Sequence, residues 1–190
     1  MSERTEIGWP SVVLAKVETV LVALSSIAIG SIMLIVVWDV IMRYAFSAPL
    51  GWSYELIAAY LVVAAFFFAL SDTLHHHGHV AIDLFQPLIP HRTRHLLLAL
   101  GYAAATVVLA LIAWQAWLRL ESAWAADSRL STTMPWPTWP TYAIVVVGTG
   151  LVMLRSILRV FGHLASCISG HDLVELPPPP VTSSAGEDAE

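Results

Sequence analysis

An all-α integral membrane protein with four transmembrane helices is the fold class this sequence predicts, and three observations predict it. Of the 190 residues, 57% are hydrophobic and 12% are charged, whereas a soluble domain carries about 25% charged residues. The mean hydropathy is +0.73. Four stretches without a charged side chain divide the chain, each near the roughly 20 residues that cross a hydrocarbon core. A soluble globular enzyme is excluded by this balance, because so few charged side chains cannot cover its surface.

The net charge of −5 sits at one end. Beyond residue 171 come Asp172, Glu175, Glu187, Asp188 and Glu190 with no base. Residues 1–171 hold nine acids and nine bases, so the body is neutral and offers no basic patch for nucleic acid. Cys167 is the single cysteine, which leaves no internal disulfide and no thiolate metal cluster.

The first transmembrane helix, 17–42, is built on the charge-free run 19–38. A cleaved signal has a shorter apolar region behind a short basic segment. Here Glu3, Glu6 and Glu18 precede a full-length run, so an uncleaved helix is expected. The second, 53–75, extends the shorter run 56–71 into both interfaces through Ser53, Tyr54 and His75. The third, 95–118, follows the run 96–118. The fourth run, 130–154, contains Pro135, Pro137 and Pro140. Proline suits a first helical turn and disrupts later ones, so this helix is expected at 140–161. Residues 1–16 read as a polar interfacial segment, 17–165 as the membrane domain, and 171–190, with Pro177–Pro180, as a disordered acidic tail.

Four spans place both termini and the middle loop on one side. That side holds Arg4, Lys16, Arg92, Arg94, Arg155 and Arg159, against Arg43, Arg119 and Arg129 on the other. Positive residues favour the cytoplasm, so both termini are expected there. Seven of the eight tryptophans (Trp38, Trp52, Trp114, Trp117, Trp124, Trp136 and Trp139) fall at the opposite, outer helix ends, and Trp9 alone lies inside. They read as an aromatic belt or as a partner surface.

The eight histidines all lie outside the charge-free runs, so a haem held within the membrane has no axial ligands. His75/His79 and His91/His95 have the i, i+4 spacing that puts two imidazoles on one helix face. They read as a polar interfacial loop, with a metal site as the alternative. No GxSxG, phosphate-binding glycine loop or HExxH occurs. Ser25, Ser26 and Ser31 are expected to bond their own i−4 carbonyls. No catalytic residue is assigned.

Charges close to the bilayer cost more and carry more meaning. Asp39 and Arg43 can pair as i, i+4 neighbours. Glu55 suits the positive end of the second helix, with Ser53 as its N-cap. Alternatively Arg43 and Glu55 bond across the tight connection between helices one and two. Asp72 can meet His75 or His76. A proton relay needs carboxylates at the midplane, and none is expected there. The pairs Ser26/Gly30, Ala65/Ala69 and Gly101/Ala105 have the small-xxx-small spacing of close helix approach.

The run Arg43-Tyr44 followed by Pro49-Leu50-Gly51-Trp52-Ser53-Tyr54-Glu55 resembles the signature of the small membrane subunit of TRAP transporters, the DctQ-like family. That signature has an arginine and an aromatic residue, then Pro-Leu-x-Trp-(Ser/Thr)-Glu-Glu. Gly78-His79-Val80-Ala81-Ile82-Asp83-Leu84 matches a second family motif, followed by Pro90, Arg92 and Arg94. Met134-Pro135-Trp136 and Tyr142 open helix four as in the family, and the likeness covers about residues 15–165. Tyr54 stands where the family often has a first acid, and Gly148 falls later than the usual glycine of helix four.

The resemblance implies a tripartite ATP-independent periplasmic secondary transporter of the bacterial inner membrane. Its partners would be a large DctM-like permease subunit, which holds the substrate and sodium sites, and a periplasmic binding protein. The small subunit would brace the large one during sodium-coupled uptake of an organic acid, with no enzymatic activity and no cofactor. Arg43, Trp52 and Glu55 would stabilise the outer connection and face the partner, and His79 and Asp83 would set the inner loop. The alternatives from other classes are a small metal or redox protein using the His75–His79 loop, and a self-assembling four-helix channel.

Overall fold

The computed structural model describes residues 8–75, 91–131 and 134–169. The helices are α1 (Gly8–Ala45), α2 (Ser53–Leu56), a π-helical turn (Ile57–Leu61), α3 (Val62–His75), α4 (His91–Ala125) and α5 (Trp139–Ser169). The turn joins α2 and α3 into one continuous span, so the described residues hold four helices long and apolar enough to cross a membrane. No strand occurs among the described residues, and the only pairing of that kind there is an isolated bridge, Arg129 to Pro137.

The helices run past the apolar stretches that nucleate them. The 38 residues of α1 make a rod of about 57 Å at 1.5 Å per residue, against a hydrocarbon core of about 30 Å. It starts at Gly8, inside the segment expected to be merely interfacial. Helix α5 opens at Trp139 with Pro140 in its first turn, where a missing N–H costs nothing.

Packing follows the order α1, α3, α5, α4: α1 lies on α3, α3 on α5, and α5 along α4. The interior is inverted relative to a soluble protein. Its buried apolar side chains are mostly alanine, including Ala28, Ala64, Ala99, Ala116 and Ala123, while Leu34, Val107, Leu111 and Phe161 point outward. Lipid tails are as apolar as leucine, so helices in a bilayer gain by close approach rather than by hiding large side chains.

Gly148 marks a close approach of two helices. A Cβ there would lie 2.5 Å from the Phe67 carbonyl oxygen, so α5 crosses α3 backbone to backbone. The inward stripe of α5 runs through Gly148, Val152, Arg155, Arg159, His163 and Ser166 in steps of three or four, and all are buried. Gly30 and Gly101, from the small-residue pairs, meet nothing within 4 Å of an added Cβ.

Both connections at the end opposite the termini are ordered by backbone capping. The chain leaves α1 through Ser47 in the left-handed region, φ 52°, with the Ala48 N–H returning to the Met42 carbonyl at 3.1 Å. Helix α4 ends in a Schellman arrangement. Asp127 takes the left-handed position, φ 44°, Ser128 N–H donates to Ala123 O and Asp127 N–H to Trp124 O. The chain then folds back as a small clip, with Leu130 N–H to Trp136 O at 2.8 Å and Thr138 N–H to Ser128 O at 2.9 Å.

Candidate functional site

The connection between α1 and α2 is organised by Asp39. Its carboxylate accepts from Arg43 Nη2 at 2.7 Å and from the Leu50 N–H at 2.8 Å. One acid therefore fixes both the last turn of α1 and the backbone that returns from it. Arg43 takes the local i, i+4 partner, and the bridge to Glu55 is not formed. Ser53 is not the cap expected of it. Trp52 holds the N-cap position without a side-chain bond, and Ser53, already helical, donates its hydroxyl to the Leu50 carbonyl at 2.9 Å.

Glu55 lies in the first turn of α2. Its Oε2 is buried and accepts no hydrogen bond among the described residues. Trp52 is half-buried beside the turn. His79 and Asp83, with His76, His77 and the tail 171–190, lie outside the described residues, so the inner-loop assignment and the disordered tail rest on sequence.

The π turn is tied to the α4–α5 connection. Thr141 Oγ1 donates to the Ala59 carbonyl at 2.9 Å, and the Tyr60 hydroxyl donates to the Pro137 carbonyl. A carbonyl has two lone pairs, so each can serve the backbone and a second donor together. The Tyr60 and Trp136 rings meet edge to face at 6.2 Å.

The end nearer the termini holds a polar seam that the sequence reading missed. Glu18, at the start of the expected first helix but ahead of its charge-free run, is 1% exposed, and Arg155, counted among the positive charges of the cytoplasmic side, is 2% exposed. They form a two-pronged ion pair: Arg155 Nε donates to Glu18 Oε1 at 2.9 Å, and Arg155 Nη2 to Glu18 Oε2. Ser71 on α3 donates its hydroxyl to Glu18 Oε1. Three spans meet in one hydrogen-bonded cluster.

One turn further along α5, Arg159 donates to the Leu74 carbonyl at 3.0 Å and to the Tyr102 hydroxyl at 3.0 Å. Tyr102 stacks on His163, rings 7° from parallel. The Nδ1 atoms of His163 and His95 lie 3.1 Å apart, so one ring presents its N–H and the other a bare nitrogen. These two imidazoles are 1% and 0% exposed. They stitch α4 to α5 and do not belong to a solvated loop. Ser26 and Ser31 bond their own i−4 carbonyls as expected, but Ser25 reaches across to the Ala65 carbonyl on α3 at 2.7 Å. The signal was available, because Arg155, Arg159 and His163 follow one another at helical spacing on the face that also carries Gly148 and Val152.

This arrangement ties helices together with polar side chains, and no group of three or more potential metal ligands gathers among the described residues. The sequence model of the family described as "Tripartite ATP-independent periplasmic transporters, DctQ component" matches residues 32–166. The chain belongs to this family. A comparison with curated proteins finds no match. DctQ components work within tripartite TRAP systems beside a large permease and a periplasmic binding protein, and they are transporter components rather than known enzymes. The match spans the Asp39–Arg43 connection, Glu55, the π turn and the Arg155–Arg159 stripe, and it begins beyond Glu18. Four apolar helices and DctQ membership together describe a multi-pass membrane subunit.

Proposed function

We propose that this DctQ subunit braces the large permease during sodium-coupled uptake of an organic acid across the bacterial inner membrane, with both termini in the cytoplasm. The observation that carries the reading is where the polar groups of the bundle go. Glu18, Ser71 and Arg155, then Arg159 and Tyr102, and Ser25 with Ala65, all join one span to another. A carrier would spend such groups on lining a path, since intramembrane ionisable residues otherwise mark one. A brace needs the opposite: helices fixed to one another and a broad apolar exterior. The outward Met33, Leu34, Val37 and Val62 supply such an exterior on α1 and α3, and in this reading they face the permease and lipid.

Arg43, Trp52 and Glu55 sit at the outer edge of that face, and Glu55 turns its carboxylate outward on assembly to accept a donor from the permease. His79 and Asp83 set the cytoplasmic loop. With Arg155 neutralised by Glu18, the positive-inside assignment rests on Arg4, Lys16, Arg92, Arg94 and Arg159.

Affinity purification of the tagged chain from native membranes in mild detergent tests the reading, with mass spectrometry of its companions. A multi-span permease at one-to-one ratio is expected. A well-expressed chain that purifies alone, or only with itself, overturns it.

A further inference from the structure

We propose that the α4–α5 seam, at the end opposite the termini, holds the primary ammonium of a phosphatidylethanolamine headgroup between indole rings and one carboxylate. A cleft of about 560 Å³ opens there, lined by Trp117, Glu121 and Trp124 from α4 and by Trp139 and Ala143 from α5. On α4 the three residues fall at i, i+4 and i+7, so they share one face. Trp124 and Trp139 meet edge to face at 4.9 Å, which sets two walls at a steep angle. Indole prefers the headgroup level of a bilayer, and its face attracts cations.

Glu121 separates this cleft from an ordinary aromatic belt. It is exposed among the indoles and makes no ion pair among the described residues. The base two positions away, Arg119, lines a different groove of about 470 Å³ with Tyr142 and Val145, so it does not face Glu121. Residue 121 stands a turn from the end of α4, where the helix dipole disfavours a carboxylate. The site is therefore complementary to a cation. A primary ammonium fits it better than a trimethylammonium, because only the former has N–H groups to donate to the carboxylate. Trp114, one turn below Trp117 and exposed, continues the apolar wall toward the bilayer centre, where an acyl chain would lie. This inference goes beyond the bracing role and does not depend on it.

The test is native mass spectrometry of the full chain with equal amounts of dioleoyl phosphatidylethanolamine, phosphatidylcholine and phosphatidylglycerol. The ethanolamine lipid is expected to be retained about tenfold over the glycerol lipid, and more than the choline lipid. Glu121→Gln and Trp124→Leu are expected to erase that preference with an unchanged gel-filtration profile, and Arg119→Gln to keep it. Equal retention of the ethanolamine and choline lipids overturns the assignment to a primary ammonium. Equal retention of all three lipids, or a preference that survives Glu121→Gln, overturns the site. A preference shown by the isolated chain and lost in complex with a permease also overturns it, since the cleft would then receive a protein side chain.

Discussion

Arg155 on α5 closes a two-pronged ion pair on Glu18 of α1, although the two residues stand 137 positions apart and both are almost wholly buried. Taking either charge out of water is expensive, and the pair is tolerable because the guanidinium fork matches the carboxylate and Ser71 adds a further donor. Arg155→Ala takes the guanidinium away from the buried Glu18 carboxylate, and a loss of about 3–5 kcal/mol is expected. The double variant Glu18→Leu with Arg155→Met removes both charges at similar volume and should recover most of it. Thermal unfolding in detergent of the two variants checks this. A double variant as unstable as Arg155→Ala would show that the pair does more than cancel charge.

Length and apolar content were enough to find four helices, because crossing a bilayer demands about 20 apolar residues and little else in the sequence imitates that. The polar seam was hidden by the same rule. A search for charge-free runs places Glu18, Arg155 and Arg159 just beyond the ends of those runs by construction, so they read as charges at the helix ends. Only the partners settle the matter, and those sit far away along the chain. His95 and His163 were hidden likewise: each is one of several histidines near a helix end, and their meeting depends on α4 lying along α5. At the α1–α2 connection the local Asp39–Arg43 pair was readable from spacing, but the bond from Asp39 to the Leu50 backbone was not, because the turn itself creates it.

The crossing at Gly148 gives a second expectation. Its added Cβ would stand 2.5 Å from a backbone oxygen, which cannot rotate aside as a side chain would. Gly148→Ala should force α5 from α3 and lower stability by about 1–3 kcal/mol. Gly150→Ala, two residues on with nothing within 4 Å, should be neutral or gain up to about 1 kcal/mol from helix propensity. The difference in melting temperature between the two alanine variants is the measurement. Equal behaviour would mean that the helices do not cross there.

The π turn and the α4–α5 connection should loosen together. Tyr60→Phe removes the hydroxyl bonded to Pro137, and Thr141→Val removes the one bonded to Ala59. Each is expected to cost about 1 kcal/mol, the net value of such a bond. Hydrogen exchange should rise in the clip around residues 128–138 and around 57–61 while the Glu18 end stays protected. A rise spread evenly over the chain would contradict this local coupling.

Glu55 and Asp39 should separate assembly from stability. Asp39 holds the turn through Arg43 and Leu50, so Asp39→Ala should destabilise the isolated chain, and Arg43→Ala, which removes one exposed prong, should do so less. Glu55 differs, because its buried Oε2 has no partner among the described residues. An unsatisfied buried carboxylate oxygen costs free energy, so Glu55→Leu should leave the isolated chain as stable as before or more so. If the permease supplies the missing donor, the same substitution should reduce co-purification of the permease, and combining it with Arg43→Ala should reduce it further while substrate capture by the binding protein is unchanged. The two readouts are melting temperature of the lone subunit and permease recovered per subunit. A Glu55→Leu chain that is less stable yet keeps its full share of permease would assign Glu55 to the fold and remove it from the interface.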